Sequence, residues 1–373
     1  MKRIFTLVFS LMMLIAGCEG KEPPPFIPSF PQKQTFTEED ATSSLDSFNQ
    51  YFYSTKHKLY YATTERKNIG AIWTQAIFWD IIMDAYKRTE DPRWRTMIDD
   101  LYAGAYNQYD AFNWENKVIW FIYDDMMWWI ISLARAYEIT GNKVYLRTSI
   151  DGYNRVWRDA YDPVGGGMFW SFNHDVKNAC INYPTVIASM VLYRITNNAI
   201  YLENARKIYV WSRANLFENG TGRIADHKNG NNPAAFEENY TYNQGTCIGS
   251  AVLLYKATGD SVYLKDAKMA ANFTKNVMSD SDGILPAEGD WNEQGVLKSI
   301  FAHYMMQLII DCNQRQYLSW IYNNINTGWR NRDKKRGLTH RDYKNPCPTG
   351  RIQSYESSSI VAFMQVCPPE IKN

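Results

Sequence analysis

Two adjacent carboxylates, Asp124 and Asp125, stand inside one of the most aromatic stretches of the sequence, which runs from Trp120 to Trp129. A charge in apolar surroundings is costly unless it is paired or used in chemistry. Because two nearby carboxyl groups repel, one keeps its proton near neutral pH, so that one group can attack while the other donates. Retaining glycosidases use such a pair about 5 Å apart. The pair therefore indicates glycoside hydrolysis, and the alternative is an N-cap with a first-turn acid at a helix start.

Other kinds of chemistry leave no pattern in the sequence. Forty basic and 39 acidic residues give a net charge of +1, which argues against an electrostatic nucleic-acid binder. The five histidines are scattered without an HExxH motif and the cysteines form no CxxC pair, so no metal is expected. The Gly165–Gly167 run lacks the Lys-Ser/Thr of a P-loop and no GxGxxG follows a strand, so no nucleotide cofactor is expected. The GxSxG elbow of serine hydrolases is also absent. Cys347 and Cys367 could pair, although the cysteines are expected mainly as small buried side chains.

A repeated phrase organises the rest of the chain. Tyr86, Tyr137, Tyr193 and Tyr255 step by 51, 56 and 62 residues, and each begins a segment of the Tyr-x-x-Thr-Gly-Asn type. In such a segment the Gly would end one helix and the Asn or Asp would cap the next. Repeats of this length are stacked supersecondary units, and about six would fit the chain. We therefore expect an all-α fold, an (α/α)6 toroid of six helical hairpins, with an open solenoid as the alternative because spacing does not show closure.

The first 34 residues predict export and anchoring. A basic start followed by the apolar stretch from Ile4 to Ala16 is typical of a secretory signal peptide, here residues 1–17. The segment 14–18, Leu-Ile-Ala-Gly-Cys, resembles a bacterial lipobox with lipid on Cys18, and an ordinary signal peptide is the alternative. Prolines make 18–34 an extended tether, which leaves 35–373 as one domain. We expect a monomer at the cell envelope, on the outer membrane's periplasmic face or the cell surface, with the lipid as its membrane contact.

A series of short motifs runs along roughly residues 45 to 365. They are Asp124-Asp125 with Trp128, Gly165-Gly-Gly-Met-Phe-Trp170-Ser, Lys177-Asn178-Ala179, Gly222-Arg-Ile-Ala-Asp226, Tyr240-Thr-Tyr242-Asn243-Gln244-Gly245 and Leu297-Lys298. Together they resemble glycoside hydrolase family 76, the endo-α-1,6-mannanases and their transglycosylating relatives. The resemblance implies an (α/α)6 barrel that cleaves α-1,6-mannosidic backbones with retention and without a cofactor. It also implies that Asp124 is the nucleophile and Asp125 the acid/base.

Two motifs depart from the family pattern. Asn197-Asn198 replaces Gly-Asn in the third turn, which we expect to matter only for structure. Leu297-Lys298-Ser299 replaces an expected Phe-Lys-Gly, which affects the shape of one part of the site.

Seven further residues are candidates for binding a sugar: Trp73, Trp170, Asn178, Asp226, Tyr242, Asn243 and Gln244. The aromatic members could stack on sugar faces, and for the tryptophans packing in the helical core is the alternative. The amide members offer both donors and acceptors to hydroxyl groups, and loop or cap hydrogen bonding is the alternative. The remaining member, Asp226, is either a third active-site acid or a loop cap.

Three functions compete at this point. The first is a lipid-anchored endo-α-1,6-mannanase acting on α-mannan or manno-oligosaccharides. The second is a non-catalytic helical glycan-binding lipoprotein, which would explain the lipobox, the repeat and the aromatic content equally well. The third is another (α/α)6 enzyme such as an unsaturated-uronide hydrolase, which would call for Arg, Lys or His near the acids; none adjoins Asp124 in the sequence. No nucleic-acid partner is expected.

Overall fold

Twelve α-helices make up most of the computed structural model, which describes residues 35–229, 235–236, 238–289 and 293–367. In these residues the helices are α1 (Glu38–Phe52), α2 (Ile72–Thr89), α3 (Pro92–Gln108), α4 (Tyr123–Thr140), α5 (Lys143–Ala160), α6 (Ala179–Thr196), α7 (Ala199–Asn215), α8 (Thr241–Thr258), α9 (Ser261–Phe273), α10 (Leu297–Asp311), α11 (Leu318–Arg330) and α12 (Ser354–Val366).

The helices form two concentric rings. In the inner ring, α2 packs against α4, α4 against α6, α6 against α8, α8 against α10 and α10 against α12. Helix α12 then packs back against α2, which closes the ring. The odd-numbered helices lie outside, each against an inner neighbour, as α3 does on α2 and α5 on α4. The closing contact confirms the expected (α/α)6 toroid and shows that the solenoid alternative is wrong.

Burial follows the two rings. Every residue of α6 from Ala179 to Leu192 is buried, as expected for a helix surrounded on all sides. The outer helix α5 instead buries mainly one stripe, which includes Tyr145, Ser149 and Val156. The inner helices α8 and α10 approach closely, since a Cβ at Gly245 would lie only 2.7 Å from the Cα atom of Phe301. The packing of the inner ring thus accounts for the glycine that ends the Tyr-Asn-Gln motif.

The repeated turns connect inner to outer helices in the predicted way. Gly141 ends α4 with φ +71°, and Asn142 then caps α5 by accepting a hydrogen bond from the Val144 N–H at 3.0 Å. Asn197 adopts the same left-handed conformation at φ +54°. The threonine before each turn adds a further bond; Thr140 Oγ1 donates to the carbonyl four residues earlier and accepts from the N–H of Asn142. Local capping chemistry therefore fixes the helical hairpins.

The third turn gives a stability prediction. Asn197→Ala should lower the free energy of unfolding by roughly 1–2 kcal/mol, because alanine lacks the local bonding that helps asparagine tolerate a positive φ. Gly141→Ala is the matched variant, since a Cβ there would meet no atom within 4 Å and only backbone conformation is tested. Urea unfolding followed by circular dichroism measures both. An Asn197→Ala protein as stable as wild type would show that the turn carries no such strain.

The described strands are few and short: β1 (Tyr53–Ser54), β2 (Leu59–Tyr60), β3 (Val176–Asn178), β4 (His227–Asn229) and β5 (Ala235–Phe236). Strands β1 and β2 form a hairpin, and β3, β4 and β5 form an antiparallel sheet in that order. In this sheet Asn178 pairs with His227. The sheet leads directly into the start of α6 and so belongs to the loops that position the site.

The predicted signal peptide, acylated Cys18 and tether, residues 1–34, lie outside the described residues. Within the described ranges, no helix has both the length and the apolar character needed to cross a membrane. The Cys347 thiol is free, and four of the five described cysteines are buried. The expectation of cysteines as small buried side chains is thus confirmed. The possible disulfide between Cys347 and Cys367 is not formed.

Candidate active site

The amino-terminal ends of the inner helices meet around one cleft. Its volume is about 490 Å³, and it is lined by Ala71, Ile72, Trp73, Phe121, Ile122, Asp124, Asp125, Trp128, Trp170, Asn178, Cys180, Tyr240, Tyr242, Glu293, Gln294 and Leu297. These residues come from the starts of α2, α4, α6, α8 and α10 and from the loops before them. Because a helix amino terminus carries a partial positive charge, this mouth of the toroid favours anionic groups. The two adjacent aspartates lie here.

Asp124 and Asp125 occupy the first turn of α4. The N-cap position before them is Ile122, and no side chain caps the helix there. Capping by an aspartate therefore does not explain the pair. The acids still benefit from the helix dipole, which favours negative charge in a first turn.

The glycine-rich loop is fixed to the start of α4. The Tyr123 N–H donates to the Trp170 carbonyl at 2.9 Å, and Ile122 forms a β-bridge with Ser171. This attachment holds the indole of Trp170 beside the carboxylates. Gly167 has φ +75°, and a Cβ there would lie 2.5 Å from the ring of Trp211. The Gly-Gly-Gly segment therefore serves as a tight turn that carries Trp170 into the cleft.

Burial raises the pKa of Asp124 well above its usual range. Three donors that face the carboxylate, the Cys180 thiol and the indole groups of Trp170 and Trp128, lower that pKa and offset part of the rise. The Oδ1 atom of Asp124 is buried and has no hydrogen-bond partner among the described residues. Asp124 thus keeps one carboxylate oxygen without a bonded partner in the cleft.

Burial also raises the pKa of Asp125, and the negative charges of Asp124 and Glu293 raise it further. Donors assist the ionisation of Asp124, whereas neighbouring charges oppose that of Asp125. Asp124 is therefore the carboxyl that ionises first, and Asp125 keeps its proton to higher pH. One ionised and one protonated carboxyl group is the combination that two-carboxylate glycoside hydrolysis uses.

The structure brings four of the seven predicted sugar-binding residues to the cleft: Trp73, Trp170, Asn178 and Tyr242. The ring centroids of Trp73 and Trp128 lie 6.3 Å apart with planes tilted by 36°. Trp73 and Trp170 are only partly buried, unlike Trp128 beneath them. The Oδ1 atom of Asn178 is buried without a hydrogen-bond partner among the described residues. The site thus combines partly exposed aromatic rings with an amide oxygen that lacks a partner.

Asp226 and Asn243 lie behind the cleft rather than in its lining. The Asn243 Nδ2 atom donates to Asp226 Oδ1 at 3.0 Å, and the other Asp226 oxygen lies 2.8 Å from Nδ1 of His227. The backbone carbonyl of Asp226 accepts from the Ala179 N–H at 2.7 Å, directly after Asn178. The two residues connect the start of α8 to the start of α6.

Gln244 does not reach the cleft surface. Its side chain is fully buried, and its amide donates to the Gly222 carbonyl at 3.1 Å and accepts from the Ile224 N–H at 2.9 Å. Both ends of the amide are used by the backbone of the 222–224 loop. The expectation of a sugar contact is therefore corrected in favour of the loop-bonding alternative.

Sequence reasoning missed several residues of the cleft, including Cys180, Tyr240, Glu293 and Gln294. Cys180 directly follows the Lys177-Asn178-Ala179 motif at the start of α6, so its position in the sequence could have identified it as a residue of the site. Glu293 lies in a polar segment before α10 that carries no pattern of its own. The departure at 297–299 does touch the site, since Leu297 lines the cleft. Its neighbour Lys298 points away and donates to the carbonyls of Pro286 and Arg341.

The toroid and its acid pair place the protein among (α/α)6 barrels with a glycosidase-type site. The family model of glycosyl hydrolase family 76 matches residues 37–365, and the protein belongs to this family.

Solved structures and a curated protein resemble the chain. The GH76A α-1,6-mannanase from Salegentibacter sp. HEL1_6 is 26% identical, with a TM-score of 0.81, over 88% of this chain and 98% of that chain. An inactive variant of it, with two consecutive aspartates changed to alanine, was solved with α-1,6-mannotetrose and matches equally well (26% identity, TM-score 0.81, the same coverage). The mannan endo-1,6-α-mannosidase DCW1 of Saccharomyces cerevisiae is 25% identical over 224 residues, 53% of this chain and 49% of that protein. The chain thus spans about half the length of this curated relative.

Proposed function

We propose that the protein is a retaining, endo-acting glycoside hydrolase that cleaves α-1,6-mannosidic linkages in mannan backbones. The observation that carries the proposal is the Asp124–Asp125 pair, set in an aromatic cleft at the mouth of a family 76 toroid. The relative whose inactive variant lacks two consecutive aspartates is an α-1,6-mannanase, which supports the same role here. The other consecutive pair of this chain, Asp99-Asp100, is on outer helix α3 and bonds to Tyr145 and Lys58.

The two alternative functions are less well supported. A purely binding protein has no need for two carboxyls whose pKa values are raised by burial and which differ in their tendency to ionise. A uronide hydrolase needs cations to hold the substrate carboxylate, but no Arg, Lys or His stands among the described residues that line the cleft. A neutral sugar chain fits such a lining better.

In this mechanism the ionised carboxylate of Asp124 attacks the anomeric carbon while Asp125 gives its proton to the glycosidic oxygen. The carbon–oxygen bond breaks, the leaving chain departs with a free 6-hydroxyl, and a mannosyl ester forms on Asp124. Asp125 then takes a proton from water, whose oxygen attacks the same carbon and releases Asp124. Two displacements restore the original configuration. Trp73, Trp170 and Tyr242 would stack on the sugar rings, and Asn178 would accept from a hydroxyl group.

Incubation with linear α-1,6-mannan tests the proposal. We expect oligosaccharides of several lengths to appear early in product chromatography, as internal cleavage requires. Proton NMR during the first turnovers should show the new reducing end as the α-anomer before it equilibrates. No new reducing ends on this polymer, or a β-anomer as the first product, would refute the proposed reaction.

The pH profile should show the influence of Glu293. Attack needs ionised Asp124 and protonated Asp125, so kcat/KM should be bell-shaped, with its acid limb well above the usual aspartate pKa of about 4. Because the charge of Glu293 raises the pKa of Asp125, Glu293→Gln should move the basic limb to lower pH and leave the acid limb in place. Kinetics on manno-oligosaccharides between pH 4 and 10 measure both limbs. An unmoved basic limb would mean that Glu293 does not act on Asp125.

The lipobox and the proline-rich segment after it support a lipid anchor on Cys18, which would hold a monomeric enzyme at the cell envelope. Cys18→Ala should release the protein from membranes in fractionated cells and leave activity on soluble mannan unchanged. Metabolic labelling with a fatty-acid analogue should label the wild type alone. A wild-type protein recovered entirely in the soluble fraction would contradict the anchor without affecting the proposed reaction.

A further inference from the structure

We propose that a groove on the outer flank of the toroid, between α5 and α7, is a second binding site for a chain of neutral pyranose sugars. The groove has a volume of about 460 Å³, within the range of ligand sites. Its lining consists of Tyr153, Asn154, Trp157, Arg158, Tyr161, Asn198, Ile200, Tyr201, Asn204 and Lys207. None of these residues takes part in the cleft. The choice of an α-mannan chain as the occupant rests on the proposed function.

Three aromatic rings follow one face of α5 toward its end. Tyr153, Trp157 and Tyr161 are spaced by four residues, so that they lie above one another over roughly 12 Å. The rings of Tyr153 and Trp157 are within 14° of parallel with centroids 6.0 Å apart, and those of Trp157 and Tyr161 within 12° at 4.7 Å. Carbon atoms in contact lie about 3.5–4.0 Å apart, so rings at these separations are not in full face-to-face register. Tyr153 is buried, whereas Trp157 and Tyr161 are half-buried and each leaves part of its ring exposed at the groove.

The lower ring is held rigidly, which makes the surface preorganised. The Tyr153 hydroxyl lies 2.8 Å from the Ser189 hydroxyl and accepts from Nδ2 of Asn204 at 3.2 Å. Tyr153 also packs edge-on against Tyr201 at 5.1 Å. This buried ring fixes its neighbour Trp157, so a sugar that packs on the exposed parts of Trp157 and Tyr161 loses little free energy to the ordering of the protein.

The polar groups around the rings suit hydroxyls. Arg158 is paired with Glu115 and Asp159, so its charge is already balanced within the protein. Asn154, Asn198 and Lys207 are exposed at the groove, where the amides donate and accept and the ammonium group donates. Ile200 is the one aliphatic side chain among the described residues of the lining, which disfavours a lipid or an apolar protein surface. The same combination of half-buried tryptophan with asparagine occurs in the cleft, where the proposed substrate is a sugar chain.

The row of three aromatic rings, Tyr153, Trp157 and Tyr161, ends beneath a loop of the cleft. Tyr161 forms a β-bridge with Met168, and the same loop carries Trp170 to the carboxylates two residues later. A polymer could therefore contact the flank and the cleft on the same side of the molecule, whereas a short oligosaccharide fills the cleft alone. The second site would raise the local concentration of polymer at the active site.

The test compares polymer with oligosaccharide in three variants. Trp157→Ala removes the central ring, the double variant Asn154→Ala with Lys207→Ala alters exposed groups only, and Tyr106→Ala is the control. Tyr106 is an aromatic residue on outer helix α3 that is 47% exposed and lies outside the groove. Affinity electrophoresis in gels that contain α-1,6-mannan measures binding without turnover. Kinetics on the polymer and on α-1,6-mannotetraose measure the two substrates.

We expect Trp157→Ala to weaken polymer retention and raise KM on the polymer by about two- to tenfold, with kcat kept and tetrasaccharide kinetics unchanged. The double variant should move in the same direction and the control should not. Retention and polymer KM equal to wild type in both groove variants would overturn the second site, and so would equal losses on polymer and tetrasaccharide in the double variant. A wild-type protein that binds the polymer through Trp157 but hydrolyses neither substrate would refute the proposed reaction and leave the groove in place.

Discussion

Asp124→Ala should abolish nearly all cleavage of α-1,6-mannan, with kcat/KM lower by several orders of magnitude. The variant lacks the carboxylate that forms the glycosyl ester, so the loss should be as large for an activated aryl mannoside as for the polymer. A good leaving group does not compensate for a missing nucleophile. Initial rates on both substrates measure the effect. A variant that keeps full activity on the polymer would mean that the acid only stabilises the helix start.

Two controls separate lost chemistry from lost structure. Asp100→Ala changes the second carboxylate of the other consecutive pair, on outer helix α3. It removes the ion pair with Lys58 and should leave kcat/KM unchanged. Thermal unfolding provides the other control. The raised pKa values of Asp124 and Asp125 mean that the folded protein retains protons which the unfolded chain releases above about pH 4. The contribution of these two groups to stability is therefore present in full below about pH 4 and is lost as pH rises toward their raised pKa values in the folded protein. Replacing either acid by an uncharged residue removes this loss, so the variants should unfold at or above the wild-type temperature at pH 7.

The parts of the fold that depend on local chemistry could be predicted from the sequence. The turns after α4, α6 and α8 contain their own helix stop and cap, so Gly141 and Asn142 suffice to place one hairpin boundary. Closure of the ring could not be derived in this way, because the contact between α12 and α2 joins residues from opposite ends of the chain. The number of repeats favoured the toroid and the resemblance to a family agreed with it, but neither could show the contact that closes the ring.

The residues of the site also differ in whether the local sequence can reveal them. The Asp124–Asp125 pair was visible because its chemistry lies in two adjacent residues. Glu293 is 169 positions from Asp124, and only the ring arrangement brings the segment before α10 to the same cleft as the start of α4. Gln244 was misjudged for a related reason: an amide in a motif can serve a substrate or a loop, and burial alone decides between them. The resemblance to the family proposed the order of roles within the acid pair, and the structure adds a physical argument for the same order: donors from Cys180, Trp170 and Trp128 face Asp124, whereas the charge of Glu293 acts on Asp125.

Asp125→Ala should lower activity in a way that depends on the leaving group. Proton donation by a positioned acid contributes roughly 10²–10⁴-fold, and it matters most when the departing group is a sugar hydroxyl. We therefore expect a loss of that order on α-1,6-mannan and a much smaller loss on an aryl mannoside with an acidic phenol. With the aryl substrate, hydrolysis of the ester should become slow, because no group remains to activate water. A burst of phenol followed by a slow steady rate would show that hydrolysis of the mannosyl ester limits the reaction.

Added azide distinguishes the two roles. Azide needs no general base, so it should attack the ester in Asp125→Ala and give a mannosyl azide of retained configuration, with the steady rate restored. In Asp124→Ala the cavity left by the nucleophile would admit azide to the opposite face of the sugar, and any product would be inverted. The donors around Asp124 and the charges around Asp125 predict the first pattern for Asp125. If azide instead rescues Asp125→Ala with inversion and Asp124→Ala with retention, the two carboxylates have exchanged roles, and the electrostatic assignment is wrong while the glycosidase mechanism still holds.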